Sequence, residues 1–211
     1  MITIIGNLKG GTGKSTIVFN LAVWLMSQKR KVTLFDLDPQ KTLSDVIDIR
    51  SEEGYEPQLQ ANDDIKQLAN YKSRRSEVLV DVGTSDYVAM QQAILLADRI
   101  IVPVPPSQAD VWSTQRFIKI VKELTSQNSK KPIISGFINR ADTHRGVRET
   151  DEAEQALQYL KGIKHVNTRL YQRTAFRRSF SEGLAVFEMQ PMSKASTELI
   201  NLSKLLYPGV K

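Results

Sequence analysis

Short apolar runs alternate along the chain with longer stretches in which apolar residues recur at helical spacing. The apolar runs predict buried strands at 2–5, 31–36, 77–83, 99–104 and 132–138. The stretches between and after them predict helices at 15–28, 42–49, 86–98, 107–127, 146–160 and 193–206. Weaker patterns add a brief strand within 50–63, a short strand at 163–167 and a basic helix at 171–182. Because buried strands that alternate with helices form parallel sheets covered on both sides, we expect an α/β doubly wound, mainly parallel sheet with helices on both faces.

The length of 211 residues is enough for one well-buried domain, so residues 1–211 are interpreted as a single domain. The chain contains no cysteine, which excludes disulfides, thiolate metal sites and cysteine nucleophiles. No apolar run approaches the about 20 residues of a membrane helix, and the first strand begins at once, without a cleavable signal. We therefore expect a cytoplasmic protein.

A glycine-rich segment follows the first predicted strand and precedes the first predicted helix. In such a loop the backbone N–H groups turn inward around an anion, and the N-terminus of the helix points at the same place. Lys14 would then reach the β- and γ-phosphates of a nucleotide, and the Ser15 hydroxyl would bind Mg²⁺. The pattern predicts a nucleotide-binding loop made of Lys9, Gly10, Gly11, Thr12, Gly13, Lys14, Ser15 and Thr16.

This loop departs from the usual phosphate-binding pattern at its first position, where Leu8 stands in place of glycine. It carries a second lysine, Lys9, next to a Gly-Gly pair and five residues before Lys14. The pattern K-G-G-x-G-K-S/T is the deviant Walker A box, and on these residues the chain resembles the ParA/MinD family of dimerising ATPases. The resemblance implies a P-loop NTPase fold of the deviant Walker type, with ATP and Mg²⁺ as cofactors.

Three aspartates stand at the ends of the second and third predicted strands. Asp36 and Asp38 lie 22 and 24 residues beyond Lys14, the distance that one helix and one strand occupy. The sequence D-x-D-P-Q at this place is similar to the second nucleotide motif of the family, and Asp81 is typical of a Walker B strand. Since Mg²⁺ prefers oxygen ligands, we expect Ser15, Asp38 and Asp81 to hold it, directly or through its waters. By resemblance, Asp38 also helps to place the attacking water, and Asp36 helps to organise the same loop.

Lys9 has no obvious task within one subunit that Lys14 does not already perform. In the family that the chain resembles, this lysine crosses a dimer interface to the phosphates of the partner. The resemblance therefore implies a homodimer in the ATP state, with Lys9, Lys14 and Asp38 as catalytic residues. A cation supplied across an interface accelerates hydrolysis in other enzymes by about 10³- to 10⁵-fold.

Asn139 and Arg140 follow the fifth predicted strand, where the family places an asparagine near the adenine. The spacing N-x-x-D, which ends at Asp142, is also similar to the guanine-reading motif of GTPases. The other motifs all resemble those of ATPases, so they favour ATP over GTP. A plain turn is the alternative interpretation of this segment.

Positive charge is concentrated in the second half of the chain. The formal net charge is +6, and residues 106–211 carry 17 basic and 10 acidic side chains. Such an excess suggests a polyanionic partner, here nonspecific DNA, against the alternative of a solvated basic face. The predicted DNA-binding residues fall in eighteen residues without an acid: Lys161, Lys164, Arg169, Arg173, Arg177 and Arg178.

The resemblance implies an ATPase that partitions a plasmid or positions a protein organelle such as the carboxysome, associates with the nucleoid, and is stimulated by an adaptor protein on the cargo. A MinD-like membrane-cycling ATPase is the first alternative, but it needs a detachable amphipathic helix with basic flanks after the fold. The last predicted helix ends at Leu206 and has a register suited to packing on the sheet. A metabolic P-loop enzyme is the second alternative, and the sequence offers no further catalytic set for it.

Overall fold

The computed structural model describes residues 1–72, 76–144 and 148–209. Within them, seven strands form one sheet in which every neighbouring pair is parallel. Near-continuous apolar side chains explain the burial of the central strands, because both of their faces are covered. The strands are β1 Ile2–Ile5, β2 Val32–Asp36, β3 Ala61–Asn62, β4 Glu77–Asp81, β5 Arg99–Val104, β6 Ile133–Ala141 and β7 Lys164–Tyr171.

The strand order, β3-β2-β4-β1-β5-β6-β7, places β1 between the two halves of the sheet. After β1 the chain forms β2 and β3 on one side, returns to insert β4 between β2 and β1, and then adds β5, β6 and β7 on the other side. In open parallel sheets, ligands bind beyond the carboxyl ends of the strands at the point where the order reverses. That point is the segment after β1, which is the glycine-rich loop.

Helices cover both faces of the sheet, each over its own apolar cluster. The first cluster joins α1, α2 and the C-terminal helices, and the second joins α3, α4, α5 and α6. The predicted doubly wound α/β fold is therefore confirmed. The helices are α1 Lys14–Ser27, α2 Thr42–Glu52, α3 Ile65–Leu68, α4 Tyr87–Leu96, α5 Gln108–Leu124, α6 Glu149–Tyr159, α7 Thr174–Ser181, α8 Val186–Met189 and α9 Lys194–Leu206.

Several elements differ in length from their predictions; β6, for example, continues to Ala141, past the predicted end at residue 138. Helix α2 continues to Glu52, because Arg50 in its last turn is fully buried and its guanidinium donates to both carboxylate oxygens of Glu188 and to the Gly183 carbonyl. The last strand, β7, extends to Tyr171, since it pairs with β6 along most of its length. The predicted start of α6 at residue 146 lies outside the described residues.

Helix α9 lies against the sheet with its apolar side buried. Leu199, Leu202 and Leu206 belong to the core beneath it, as the register of the last predicted helix suggested. In the described part of the chain, none of the helices has the length and apolar character needed to cross a membrane.

Candidate functional site

The glycine-rich loop connects the buried strand β1 to the N-terminus of α1. Gly11 and Gly13 have φ angles of 70° and 88°, a region that residues with a Cβ rarely adopt. Lys14 begins the helix and is buried, although it carries a charge. Burial lowers the pKa of Lys14 below its ordinary value of 10.5, while the carboxylates of Asp81 and Asp38 oppose this change. A buried lysine at a helix N-terminus, next to backbone N–H groups, forms an electropositive site for an anion.

The two residues before Lys9 fix the start of the loop. The Asn7 side chain is fully buried; its amide donates to the Pro103 carbonyl over 3.0 Å and its oxygen accepts from the Lys9 backbone N–H over 3.2 Å. Leu8, at the position where glycine is usual, packs against the apolar core instead. The sequence analysis did not single out Asn7, whose only local signal is a polar residue two positions after a buried strand.

Lys9 does not point into the cavity that the loop surrounds. A cavity of about 300 Å³ is lined by the other loop residues, from Gly10 to Thr16 without Thr12, and by Asp38, Gln40, Thr42, Thr84, Ser85 and Arg140. Lys9 is absent from this lining, and its ammonium lies 2.8 Å from Asp110 Oδ1 on α5. Lys9 therefore has an acidic partner in its own chain, and its contact with the phosphates of a second subunit stays a prediction.

Asp36 and Asp38 have different roles in the geometry after β2. Asp36 is fully buried, and its carboxylate accepts from the Ser44 backbone N–H, from the Ser44 hydroxyl and from the Asp38 backbone N–H. Asp38 lines the cavity, and its carboxylate accepts from the Gln40 backbone N–H over 3.0 Å. A Cβ at Gly83 would lie 2.6 Å from Asp38 Oδ1, so the absence of a side chain there allows Asp38 its place. Asp36 therefore orders the loop, and Asp38 faces the open space.

Asp81, the last residue of β4, holds a buried carboxylate beside Lys14. Burial raises the pKa of Asp81 from 3.8 to about 7; nearby Ser15 and Lys14 lower it, and the carboxylates of Asp36 and Asp38 raise it further. Within the described residues neither carboxylate oxygen makes a hydrogen bond of good geometry, although the Ser15 hydroxyl is close enough to affect the pKa. A buried carboxylate without partners is costly, which indicates that a positive group belongs beside it.

The residues at this place fit a magnesium ion. No group of three or more His, Cys, Asp or Glu side chains that could hold a metal alone occurs in the described residues. Mg²⁺ does not need such a cage, since it keeps several waters and binds one or two carboxylates together with substrate phosphates. The unpartnered oxygens of Asp81, with Ser15 and Asp38 nearby, provide that kind of incomplete oxygen set.

Asn139 and Arg140 lie at the end of β6, next to the loop. The Asn139 side chain is largely buried, and its amide donates to the Thr12 carbonyl over 2.7 Å. A Cβ at Gly13 would lie 2.7 Å from the Asn139 amide nitrogen, so the loop glycine is needed for this contact. Arg140 has a φ of 58° and is exposed at the edge of the cavity. In this structure Asn139 therefore supports the loop backbone.

A second cavity, of about 410 Å³, adjoins the first and shares Gly13, Thr16 and Arg140 with it. Most of its other lining residues come from the end of β7 and from α7, which together contribute both apolar and basic side chains. They include Leu170, Tyr171, Gln172, Arg173, Thr174, Phe176, Arg177 and Phe180. An elongated ligand with an anionic end at the loop and a planar end near α7 would occupy both cavities. The sequence did not reveal the aromatic residues of this wall.

The six predicted DNA-binding residues do not form one continuous surface. Lys161 lies just before β7 and Lys164 begins it, whereas the others lie on or beyond its C-terminal half. The eight residues of β7, at about 3.3 Å per residue, separate Lys164 from Tyr171 by about 23 Å. The six residues are therefore spread along a strand that crosses the sheet, and their contact with DNA stays a prediction.

Three of the arginines in this segment also have acidic partners outside the segment. Arg169 pairs with Asp151 over 2.8 Å and with Glu154, and Arg173 pairs with Glu198 over 2.6 Å. Arg178 pairs with Glu182 over 3.1 Å on the exposed side of α7. Among the six, the residues without an ion pair in the described part of the chain are Lys161, Lys164 and Arg177.

Comparisons with known proteins agree with this geometry. A family model described as the CobQ/CobB/MinD/ParA nucleotide binding domain matches residues 3–187. The chain is 28% identical over 205 residues to the maintenance of carboxysome distribution protein A of Halothiobacillus neapolitanus, which covers 93% of this chain and 91% of that protein.

Solved structures share the fold at low sequence identity. The structure of apo McdA from Cyanthece has a TM-score of 0.77 and 18% identity and covers 97% of this chain and 98% of its own. The Pyrococcus horikoshii septum site-determining protein MinD, complexed with Mg-ADP, has a TM-score of 0.73 and 19% identity and covers 98% and 95%. Since the family model spans most of the chain, the resemblance inferred from the sequence is confirmed, and the chain belongs to the CobQ/CobB/MinD/ParA nucleotide-binding domain family.

Proposed function

We propose that this protein is a Mg²⁺-dependent ATP hydrolase that dimerises when ATP is bound, binds nonspecific DNA in that state and positions a cargo on the nucleoid. The observation that carries the proposal is the separation of the two loop lysines. Lys14 is buried and lines the cavity, whereas the Lys9 side chain is 43% exposed and lies outside it. The Lys9 ammonium, which lies outside the cavity of its own subunit, is suited to contact the phosphates of a second subunit.

The residues around the first cavity divide the work of phosphoryl transfer. Such a reaction depends on positioning and on neutralising charge much more than on covalent chemistry by the protein. Backbone N–H groups of the loop and the Lys14 ammonium would bind the phosphates. Ser15, Asp38 and Asp81 would hold Mg²⁺, which neutralises phosphate charge when bound. Asp38, which faces the open space, would orient the attacking water.

The second cavity is the proposed site of the base. Its aromatic and apolar wall at Tyr171 and Phe176 suits a planar ring, and Arg140 lines both this cavity and the first one. Because the Asn139 amide nitrogen donates to the Thr12 carbonyl, a contact to adenine would fall to its side-chain oxygen. The ATPase-like motifs elsewhere favour ATP as the nucleotide.

The DNA contacts are proposed for the edge of the sheet that carries the nucleotide. Arg177 and Arg178 are both exposed there, and nonspecific binding needs cations that reach phosphate oxygens rather than base edges. Pairing of two subunits through their nucleotide faces would bring two such groups together. Lys161 and Lys164 lie at the N-terminal end of β7, away from the nucleotide edge, so we assign them a smaller part in binding that depends on ATP.

The cargo role rests on similarity alone. The Halothiobacillus neapolitanus relative, matched over nearly its whole length, is named for carboxysome distribution, which favours a protein organelle over a plasmid. An adaptor protein on that cargo would stimulate hydrolysis. The apolar side of α9 is committed to the core, which argues against a detachable membrane helix.

Light scattering with a slowly hydrolysed ATP analogue and Mg²⁺ tests the dimer. We expect a dimer with the analogue and a monomer with ADP, and we expect Lys9→Ala to remain a monomer in both. Lys119→Ala, which removes an exposed lysine from α5, is the matched control and should dimerise normally. A monomeric parent protein with the analogue would refute the proposal.

Fluorescence anisotropy on a random duplex tests the DNA surface. Arg177→Gln with Arg178→Gln should weaken binding in the ATP state and reduce the slope of log affinity against log salt by about 0.9 for each lost phosphate contact. Nucleotide affinity must be measured in the same variant, because Arg177 also lines the second cavity. Lys161→Gln with Lys164→Gln is the matched control, and it should weaken binding in the ATP state less. Equal binding with ADP and ATP would contradict the proposal.

A further inference from the structure

The acceptor of Lys9 within its own subunit is an almost buried carboxylate. The Lys9 ammonium lies 2.8 Å from Asp110 Oδ1, and the two side chains are 43% and 8% exposed. The Ser107 hydroxyl donates to the other carboxylate oxygen, Asp110 Oδ2. Asp110 therefore offers Lys9 a shielded negative charge, whereas the lysine reaches it from solvent.

Asp110 has contacts with its own helix that do not involve Lys9. It lies in the first turn of α5, where its backbone N–H donates to both the hydroxyl and the carbonyl of Ser107, the N-cap residue. A negative charge is also favoured at this place by the helix dipole. If Lys9 leaves, the carboxylate keeps only Ser107 among the partners found in the described residues. The pair therefore opposes any arrangement in which Lys9 extends away from its own subunit.

We propose that Asp110 is a latch that retains Lys9 in the monomer, and that ATP-dependent pairing must release it. This inference rests on the proposed ATP dimer. One ammonium cannot lie against Asp110 and against the phosphates of a partner at the same time. The phosphates of a second, ATP-bound subunit can replace the Asp110 carboxylate as the partner of Lys9, since they carry more negative charge than that carboxylate. ADP lacks the terminal phosphate, so an ADP-bound subunit replaces the Asp110 carboxylate less well.

The latch has a quantitative consequence for assembly. Apparent affinity falls in proportion to the fraction of molecules in the binding-competent state. Two latches must open for each dimer, so the dimer dissociation constant depends on the square of that fraction. A partly exposed ion pair typically changes an equilibrium by about threefold, and its removal should therefore lower the dimer dissociation constant by about tenfold.

Amine labelling of the nucleotide-free monomer tests whether Asp110 holds Lys9. We expect Asp110→Asn to raise the rate of reductive methylation at Lys9 about threefold, as read by mass spectrometry. Glu123→Gln is the matched control, because it removes a carboxylate from the same helix but one that pairs with Lys119. It should leave Lys9 unchanged. An unchanged Lys9 rate in Asp110→Asn would overturn the latch, whatever the oligomeric state of the protein.

Sedimentation velocity with the ATP analogue tests whether the latch restrains assembly. Asp110→Asn should dimerise at about tenfold lower protein concentration than the parent, and Glu123→Gln should match the parent. Thermal unfolding of each variant verifies that it is folded. Unchanged or weaker dimerisation of folded Asp110→Asn would overturn the proposal. Weaker dimerisation would indicate instead that Asp110 orients Lys9 toward the partner subunit. A parent protein that does not dimerise with the analogue would refute the proposed function. Faster labelling of Lys9 in Asp110→Asn would then show only that the ion pair exists, since there would be no assembly for it to restrain.

Discussion

Replacing Asp81 by Asn should make the nucleotide-free protein more stable, although it removes a residue of the proposed magnesium site. The Asp81 carboxylate is buried without a hydrogen bond of good geometry in the described residues. Burial is the main cause that raises its pKa from 3.8 to about 7. Each tenfold change in a protonation constant is worth about 1.4 kcal/mol, so this rise corresponds to about 4 kcal/mol of lost stability once the group is ionised.

The sign of the pH dependence follows from linkage. Between pH 4 and pH 7 the folded state binds more protons at Asp81 than the unfolded state does, so the free energy of unfolding falls as the pH rises. Asn cannot ionise, and its buried amide without partners costs about 1–3 kcal/mol at every pH. At pH 8 we therefore expect Asp81→Asn to be more stable than the parent by about 1–3 kcal/mol, with an advantage about 2–3 kcal/mol smaller at pH 5.

Urea unfolding of the parent and the variant at pH 5 and pH 8, without nucleotide or Mg²⁺, measures this difference. Asp48→Asn makes the same chemical change on the exposed side of α2 and should alter stability by less than about 0.5 kcal/mol. Adding Mg²⁺ and ATP at about 100 times the dissociation constant should stabilise the parent by about 2.7 kcal/mol and the variant by less. A variant that is less stable at pH 8, or whose advantage is independent of pH, would refute the reasoning.

Three further changes test the geometry of the site and its support. Gly83→Ala would place a Cβ 2.6 Å from Asp38 Oδ1, so turnover should fall by up to ~10²-fold while ATP affinity stays within a few-fold; turnover within threefold of the parent would contradict this. Asn139→Ala leaves a loop carbonyl unpaired, and chemical denaturation should show a loss of about 1–3 kcal/mol and calorimetry a weaker nucleotide affinity. Arg50→Leu leaves the Glu188 carboxylate without its guanidinium partner and should lower the free energy of unfolding by about 3–5 kcal/mol. The additional change Glu188→Leu should partly reverse this loss if the ion pair is its cause.

The glycine loop and the acidic strand ends were predictable because their signals are local. A buried strand, a run of glycines and a helix must be adjacent in the sequence for the phosphate site to form, so one short segment contains the information. The same holds for Asp36, Asp38 and Asp81, each of which lies at the end of an apolar run. In a parallel sheet those ends meet at one edge, which brings Asp81 and Asp38 close enough to Lys14 to change its pKa.

The basic segment shows where local reading fails. Six cations within eighteen residues indicate one surface when only spacing is considered. Strand β7 carries the chain across the sheet within that segment, so Lys164 and Arg177 lie toward opposite ends of the fold. The acids that neutralise Arg169 and Arg173 come from α6 and α9, which the charge pattern of the segment does not include.

The sequence by itself determined the alternation of strands and helices, the nucleotide loop and the residue types around it, because periodicity and adjacent motifs encode them. The tertiary structure decided which distant side chains meet. Asn139 supports Thr12 across 127 residues, Arg50 binds Glu188 across 138, and Asp110 on α5 holds Lys9. These contacts depend on the order β3-β2-β4-β1-β5-β6-β7, which brings β5 and β6 to the side of β1. That order follows from packing the whole sheet, and no local pattern of hydrophobic and polar residues contains it.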